Sequence, residues 1–190
     1  MNSTVSNEAA IAATQLWLEK AVIGLNLCPF AKGVHVKGQI RYVVSAAQTT
    51  DELLRDLISE LEVLAEASRD KIDTTLLIHP HVLTDFLDYN DFLEVADAAL
   101  EEIDLAGELQ IASMHPQYQF ADTEQDDITN FTNRSPYPTL HLIREDSIDE
   151  AVAAFPEAEM IFEKNIETMQ KLGHEGWNAL GLAEVQKSKK

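Results

Sequence analysis

Short runs of β-branched and apolar residues alternate with amphipathic helical patterns along most of this chain, and this alternation limits the folds open to it. The run at 74–79 (TTLLIH) is almost continuously apolar, as expected for a strand that is buried on both faces. The predicted strands are 40–46, 74–79, 109–114 and 139–143. The predicted helices are 7–24, 49–68, one from about 84 to a stop at Gly107, a short one opened by Ser147, and 157–172.

The predicted order is helix, strand, helix, strand, helix, strand, a long loop, strand and two helices. Helices of this length between strands make right-handed crossovers and favour parallel pairing. The fourth strand follows a loop and not a helix, so its direction stays open. The sequence therefore predicts an α/β fold with a single mixed, mainly parallel four-stranded sheet and helices packed on its faces.

The length of 190 residues suits one hydrophobic core. We expect a single domain over 1–190, with its core in about 7–172 and a C-terminal tail at 173–190. Cys28 is the only cysteine, so no intrachain disulfide can form, and a reducing compartment is indicated. The N-terminal segment lacks the features of a signal peptide. We therefore expect a cytoplasmic protein, with its oligomeric state left open.

The chain has 14 Lys and Arg against 33 Asp and Glu, which gives a formal net charge of −19 at pH 7. A surface this acidic repels phosphate backbones and anionic lipid headgroups. Basic residues form a run only at the C-terminus, with Lys187, Lys189 and Lys190. We therefore expect neither a nucleic acid nor a membrane as partner.

Two His-Pro pairs follow the second and third predicted strands, at His79-Pro80 and His115-Pro116. Ligands of open α/β sheets bind beyond the carboxyl ends of the strands, so both pairs fall at the edge where a site is expected. His79 and His81 have the spacing of strand-borne metal ligands, and His115 can complete a set of three. Capping or structural roles are favoured, because Pro80 disturbs the alternation that would align the first two rings.

The long polar connection 115–138 joins the third and fourth predicted strands. Loops of this length inside compact domains are usually functional or disordered. Arg134 lies between Asn133 and Ser135 in a segment that nearby prolines hold extended, and its guanidinium can bind a carboxylate or phosphate through two hydrogen bonds. We predict that Arg134, Asn133 and Ser135 bind substrate, together with Tyr118. An internal salt bridge is the alternative role for Arg134.

Three further features have both a chemical and a structural interpretation. Cys28 can act as a nucleophile beside a histidine, but it follows a helix C-terminus, where the helix dipole opposes a thiolate, so a buried apolar role is favoured. His141 is expected to be a core histidine that is hydrogen-bonded to backbone. The acidic run at 122–127 can hold a hard divalent cation, but a solvated loop is favoured because the run lacks the glycine of an EF-hand loop.

Four motifs of this chain occur in the order found in a known bacterial family. They are 24–30 (GLNLCPF), 79–80 (HP), 114–120 (MHPQYQF) and 133–138 (NRSPYP). On these motifs, and over about residues 10–180, the chain resembles the family called domain of unknown function 1415. The resemblance implies a bacterial cytoplasmic protein. It implies no activity and no cofactor, so the cofactor stays unknown.

The leading hypothesis is a small-molecule enzyme or binding protein for an anionic metabolite at the carboxyl edge of the sheet. Arg134 would hold the anion, His115 would act as general acid or base, and His79 and Tyr118 would orient the ligand. A metal-dependent hydrolase that uses His79, His81 and His115 is the second hypothesis. The third is a non-catalytic interaction protein with an aromatic surface on the 115–138 connection.

Overall fold

A computed structural model of the protein describes residues 5–155, 157 and 160–182. Its strands are β1 (Ile40–Val44), β2 (Thr74–Ile78), β3 (Leu109–Met114) and β4 (Thr139–Arg144). Its helices are α1 (Asn7–Trp17), α2 (Ala31–Val36), α3 (Thr50–Glu66), α4 (Phe86–Glu102), α5 (Glu145–Ala154) and α6 (Ile161–Ala179). None of the helices in this described part of the chain has the length and hydropathy of a membrane span.

The four strands form one sheet in the order β1-β2-β4-β3. β1 pairs in parallel with β2, whereas β4 runs antiparallel between β2 and β3. The α/β class and the single mixed sheet are confirmed. The prediction of a mainly parallel sheet is wrong, because two of the three strand pairs are antiparallel. The strand without a preceding helix enters the middle of the sheet and separates two strands that point the same way.

The ends of several helices follow from their capping residues. The Thr49 hydroxyl accepts a hydrogen bond from the Glu52 N–H at 3.3 Å, in a capping box that begins α3. Asp85 caps α4, which runs without interruption. Gly173 does not end α6 but adopts a φ of 63° at a kink, after which the helix continues. Residues 183–190 of the predicted tail, with its lysines, lie outside the described residues.

Helices α3 and α4 cover one face of the sheet. Leu77 of β2 and Leu140 and Leu142 of β4 are fully buried there. The leucines that meet them from α3 are at the positions that helical spacing predicts, and each is fully buried: Leu53, Leu57, Leu61 and Leu64. Burial of one such side chain stabilises the fold by roughly 1.5–3 kcal/mol, so this layer supplies much of the hydrophobic stabilisation.

The second face of the sheet is covered by α1, α2 and α6. A π-helical turn, Leu18–Ile23, extends α1, and the N–H of Gly24 closes it by donating to the Glu19 carbonyl at 3.0 Å. A Cβ at Gly24 would lie 2.3 Å from the Lys20 carbonyl oxygen, so only glycine fits here. Helix α5 lies at the end of this layer and has no buried side chain.

The Tyr89 hydroxyl joins β3 to β4 from within α4. It donates to the Thr139 carbonyl at 2.8 Å and accepts from the Met114 N–H at 3.0 Å. The residue is 0% exposed, so no bulk water can replace the hydroxyl. This one side chain therefore satisfies a backbone group on each of two neighbouring strands.

We expect Tyr89→Phe to lower the free energy of unfolding by about 2–4 kcal/mol, because it removes the interior partner of two backbone groups. Urea denaturation measures the change. Tyr118→Phe is the matched control, since Tyr118 is only half-buried and its hydroxyl has no hydrogen-bond partner among the described residues. We expect the control to cost less than about 0.5 kcal/mol. Equal losses in the two variants would contradict the role given to the Tyr89 hydroxyl.

Candidate functional site

The structure brings His79, His115 and Tyr118 together at the carboxyl edge of the sheet. With Phe86 and Tyr89 they form a group of packed rings, called here the carboxyl-edge cluster. The His115 ring centroid lies 5.0 Å from that of Tyr89 and 5.5 Å from that of Phe86. Phe86 also contacts Tyr118 at 5.2 Å, and the His79 ring stacks on Tyr89 at 5.8 Å. The rings of His79, Tyr89 and His115 are 0% exposed, and the half-buried rings of Phe86 and Tyr118 pack against them.

Backbone groups occupy both ring nitrogens of His115. Nε2 lies 3.2 Å from the Leu83 carbonyl, which can only accept, so Nε2 carries the proton. Nδ1 then accepts from the Gln117 N–H at 3.0 Å. The residue is 0% exposed, and burial lowers its pKa. The predicted role of His115 as general acid or base stays a prediction, and it requires these bonds to open.

His79 is also 0% exposed, and only one of its two ring nitrogens has a hydrogen-bond partner among the described residues. Nδ1 donates to the Val82 carbonyl at 3.0 Å, while Nε2 has no hydrogen-bond partner among the described residues. Burial lowers the pKa of His79 to about 4, so the ring is neutral at pH 7. No group of three His, Cys, Asp or Glu side chains within the described residues is arranged to hold a metal ion. The hypothesis of a metal site at His79, His81 and His115 therefore lacks geometric support.

Arg134 braces the 115–138 connection from inside. Its Nε donates to the Tyr118 carbonyl at 3.1 Å, and Nη2 donates to the Gln125 carbonyl at 2.5 Å. The guanidinium lies over the Phe131 ring, 4.3 Å from the centroid. Both hydrogen-bond partners of the Arg134 guanidinium are backbone carbonyls, so the geometry does not support the alternative of a structural salt bridge. Anion binding by Arg134 stays a prediction.

The two polar neighbours of Arg134 are also bonded to backbone. Asn133 donates from Nδ2 to the Ser113 carbonyl at 3.3 Å, and the Ser135 hydroxyl donates to the Tyr137 carbonyl at 2.6 Å. These bonds hold the connection against the end of β3 and the start of β4. Most of the polar side chains that the sequence singles out in this segment therefore shape the loop itself.

A cavity of about 610 Å³ lies instead on the second face of the sheet. Its walls come from the sheet, α1 with its π-helical turn, the segment 28–37, and α5. Most of the lining is apolar and includes Trp17, Leu18, Val22, Ile40, Leu76, Ala112, Met114 and Ile143. Phe155, just after α5, contacts the edge of Phe30 across the opening, with ring centroids 5.5 Å apart. This space, called here the His141 cavity, has the size of a small-molecule site.

His141 of β4 lines this cavity, and its tautomer follows from its partners. The Thr74 hydroxyl donates to the Leu142 carbonyl at 2.7 Å, so it can only accept from His141 Nε2, which lies 2.7 Å away. A neutral imidazole has one N–H, so Nδ1 carries a lone pair. Nδ1 has no hydrogen-bond partner among the described residues. The ring surface that stays open faces the cavity, and separation from bulk water lowers the pKa to about 4.

Charged side chains stand at one end of the same cavity. Asp73 is 6% exposed; its Oδ1 accepts from the Ser147 hydroxyl at 2.5 Å and lies 3.3 Å from Arg69 Nε. The two Nη atoms of Arg69 donate to the Glu150 carboxylate at 2.7 and 2.8 Å. Ser147 and Glu150 belong to α5, so these bonds fasten that helix over the cavity.

His141 and Cys28 line this cavity, although the sequence favours a structural role for both of them. His141 was expected to bond to backbone, but its partner is the Thr74 side chain on the neighbouring strand. Cys28 lines the cavity, and burial raises the pKa of its thiol, in agreement with the favoured apolar role. The signal that was missed is the register of Leu76 with His141, which depends on β4 pairing with β2. His141 is a polar residue in an otherwise apolar strand, and Thr74 is a buried threonine on the neighbouring strand. Such a pair across two strands would have indicated the hydrogen bond.

A family model described as "Protein of unknown function (DUF1415)" matches residues 9–179. The match covers both faces of the sheet, the carboxyl-edge cluster and the His141 cavity. No curated protein and no solved structure matches the chain.

The buried neutral histidines predict a loss of stability in acid. The pKa values of His79 and His141 fall from 6.5 to about 4 on folding. Below pH 6.5 the unfolded chain therefore binds protons that the folded state does not, and stability falls as the pH drops toward 4. Each histidine should account for about 2 kcal/mol of the loss between pH 7 and pH 5.

We expect His141→Gln to reduce this loss by about 2 kcal/mol, because an amide N–H can replace Nε2–H without titrating. Urea denaturation of the variant and of the unsubstituted protein at the two pH values gives the difference. His174→Gln, at an exposed position, is the control and should keep the full loss. An equal pH dependence in all three proteins would show that His141 is not buried in the neutral form.

Proposed function

Because the chain belongs to the family described as "Protein of unknown function (DUF1415)", a description that assigns no activity, we propose a function from geometry: the protein binds a small, largely apolar molecule in the His141 cavity. One observation carries this proposal. A cavity of about 610 Å³ with an apolar lining contains a ring nitrogen, His141 Nδ1, that lacks a partner among the described residues.

The cavity is partly open to solvent, and ordinary packing does not explain an apolar space of this size. Protein interiors are close-packed, and voids much larger than a water molecule are few because their lining loses dispersion contacts. Ligand sites, in contrast, measure about 300–1,000 Å³ and are mostly apolar with a few oriented polar groups. The His141 cavity has both properties. The same features distinguish it from the carboxyl-edge cluster, where the rings fill the interior.

The helix beside the cavity supports the proposal independently. Trp17, Leu18 and Val22 line the cavity from α1 and its π-helical turn. A π-turn is less favourable than an α-turn and occurs mostly as a local insertion, frequently at functional sites. Here the wider turn sets which side chains of this helix face the sheet. A helix that served only to fill the core would not need it.

The path of entry follows from how α5 is held. This helix has no buried side chain, and its described contacts over the cavity are the bonds of Ser147 and Glu150 and the edge contact of Phe155. Elements with little buried apolar surface open at low free-energy cost. Movement of α5 would therefore admit a ligand without disturbing the leucine layer on the other face of the sheet.

Titration with the neutral fluorophore N-phenyl-1-naphthylamine tests the proposal. We expect saturable binding of one molecule per chain, with energy transfer from Trp17, which lines the cavity. Ala112→Leu fills part of the space from β3 and should weaken binding at least about tenfold. Ala98→Leu makes the same change on the exposed side of α4 and should leave the dissociation constant unchanged. Binding that is absent, or that is equal in both variants, would remove the proposal.

A further inference from the structure

We propose that the His141 cavity selects molecules whose apolar body carries a hydrogen-bond-donating, positively charged head such as an ammonium group. This inference rests on the proposed function and adds the chemical class of the ligand. It follows from which polar atoms at the cavity are still without partners. Two of them are acceptors, His141 Nδ1 and Asp73 Oδ2, whereas the donors without a hydrogen-bond partner among the described residues, Trp17 Nε1 and Lys37 Nζ, belong to the helical walls of the cavity.

The first acceptor is His141 Nδ1, whose lone pair is fixed by the chain of bonds through Thr74. Because the Thr74 hydroxyl donates to the Leu142 carbonyl, Nε2 of His141 must hold the only ring proton. Separation from bulk water keeps the ring neutral, so it does not repel a cation. A ligand N–H is the natural partner for this nitrogen.

The second acceptor belongs to Asp73, the residue that precedes Thr74. Its Oδ1 accepts from Ser147 and faces Arg69, but Oδ2 accepts no hydrogen bond from any described residue. Asp73 is 6% exposed and lines the cavity. This oxygen keeps its capacity to accept at a largely apolar cavity, and a charged donor is the strongest partner for a carboxylate oxygen. Asp73 precedes Thr74, the partner of His141, and both acceptors belong to the cavity lining, so we expect one head group to reach both.

The donors beside Asp73 are already bonded, which disfavours an anionic head group at this part of the cavity. The Ser147 hydroxyl donates to Asp73, and the Arg69 guanidinium faces Asp73 and Glu150. Arg69 thus meets two carboxylates, of which Glu150 is exposed and screened by water, so Asp73 is the buried negative charge of this group. Lys37 also lines the cavity but is exposed, so water screens its charge. The formal net charge of −19 further favours the approach of cations over anions.

Three compounds with one body test the ligand class in the full chain: 3-phenylpropylamine, 3-phenylpropan-1-ol and 3-phenylpropanoate. Each is titrated against the protein loaded with N-phenyl-1-naphthylamine. We expect the amine to displace the fluorophore at the lowest concentration, the alcohol at a higher one, and the carboxylate last. The amine should bind at least about tenfold more tightly than the carboxylate. This series uses the unsubstituted protein, so it decides the ligand class even if a variant fails to fold.

Asp73→Asn removes the buried charge and should reduce the advantage of the amine over the carboxylate to less than about threefold. Asp70→Asn is the matched control, because it makes the same charge change at an exposed residue that does not line the cavity. It should keep the tenfold advantage. A loss of equal size in both variants would assign the preference to overall charge and overturn the role of Asp73.

The remaining outcomes separate this inference from the proposed function. If the fluorophore binds but the carboxylate displaces it as well as the amine does, the ligand class is wrong and the binding function stands. The same holds if none of the three compounds displaces it. If the fluorophore itself does not bind, both proposals fall. In ¹⁵N-histidine spectra, the Nδ1 resonance of His141 should move with the amine, and an unmoved resonance under saturation would exclude that contact.

Discussion

The insertion of β4 between β2 and β3 is the constraint on which the rest of this structure depends. β4 is hydrogen-bonded on both sides, so its alternate residues reach both layers of the fold. Leu140 and Leu142 point to the layer of α3 and α4, whereas His141 faces the cavity. The same pairing brings Thr74 within hydrogen-bond distance of His141. Without this central strand, neither the leucine layer nor the floor of the cavity would be complete.

The elements could be predicted from the sequence because their signals are local. The leucine stripe of α3 and its capping box at Thr49 depend on residues a few positions apart, and both are found where the pattern puts them. Sheet order depends on which distant strands pair, and no local pattern encodes that. The prediction of a mainly parallel sheet was wrong for this reason. The expected backbone hydrogen bond of His141 was wrong for the same reason. Its partner, Thr74, is a neighbour only because β4 pairs with β2.

The candidate site could be predicted only in part, since residue type does not reveal whether a polar group is free. The sequence singles out His115 and Arg134, but their nitrogens meet backbone groups of the 115–138 connection and, for His115 Nε2, the Leu83 carbonyl before α4. Long loops contain many backbone groups that need partners, and polar side chains nearby are the first to supply them. No motif in the sequence marks His141 or Asp73 as part of a site. They matter because their environment leaves an acceptor unpaired.

The two faces of the sheet therefore differ in packing, and the less closely packed face contains the cavity for which we propose binding. The α3 and α4 face is packed without interruption by fully buried leucines, and it can maintain the fold while the other face stays partly hollow. An apolar cavity lowers stability in proportion to its size, so a chain that retains one must hold it open with groups that cannot collapse inward. The hydrogen bond from His141 to Thr74 and the ion pairs of Arg69 fix the positions of lining side chains on the sheet and on α5. The polar part of the cavity thus ties its walls to one another, and in our proposal it also provides the acceptors that a ligand would meet.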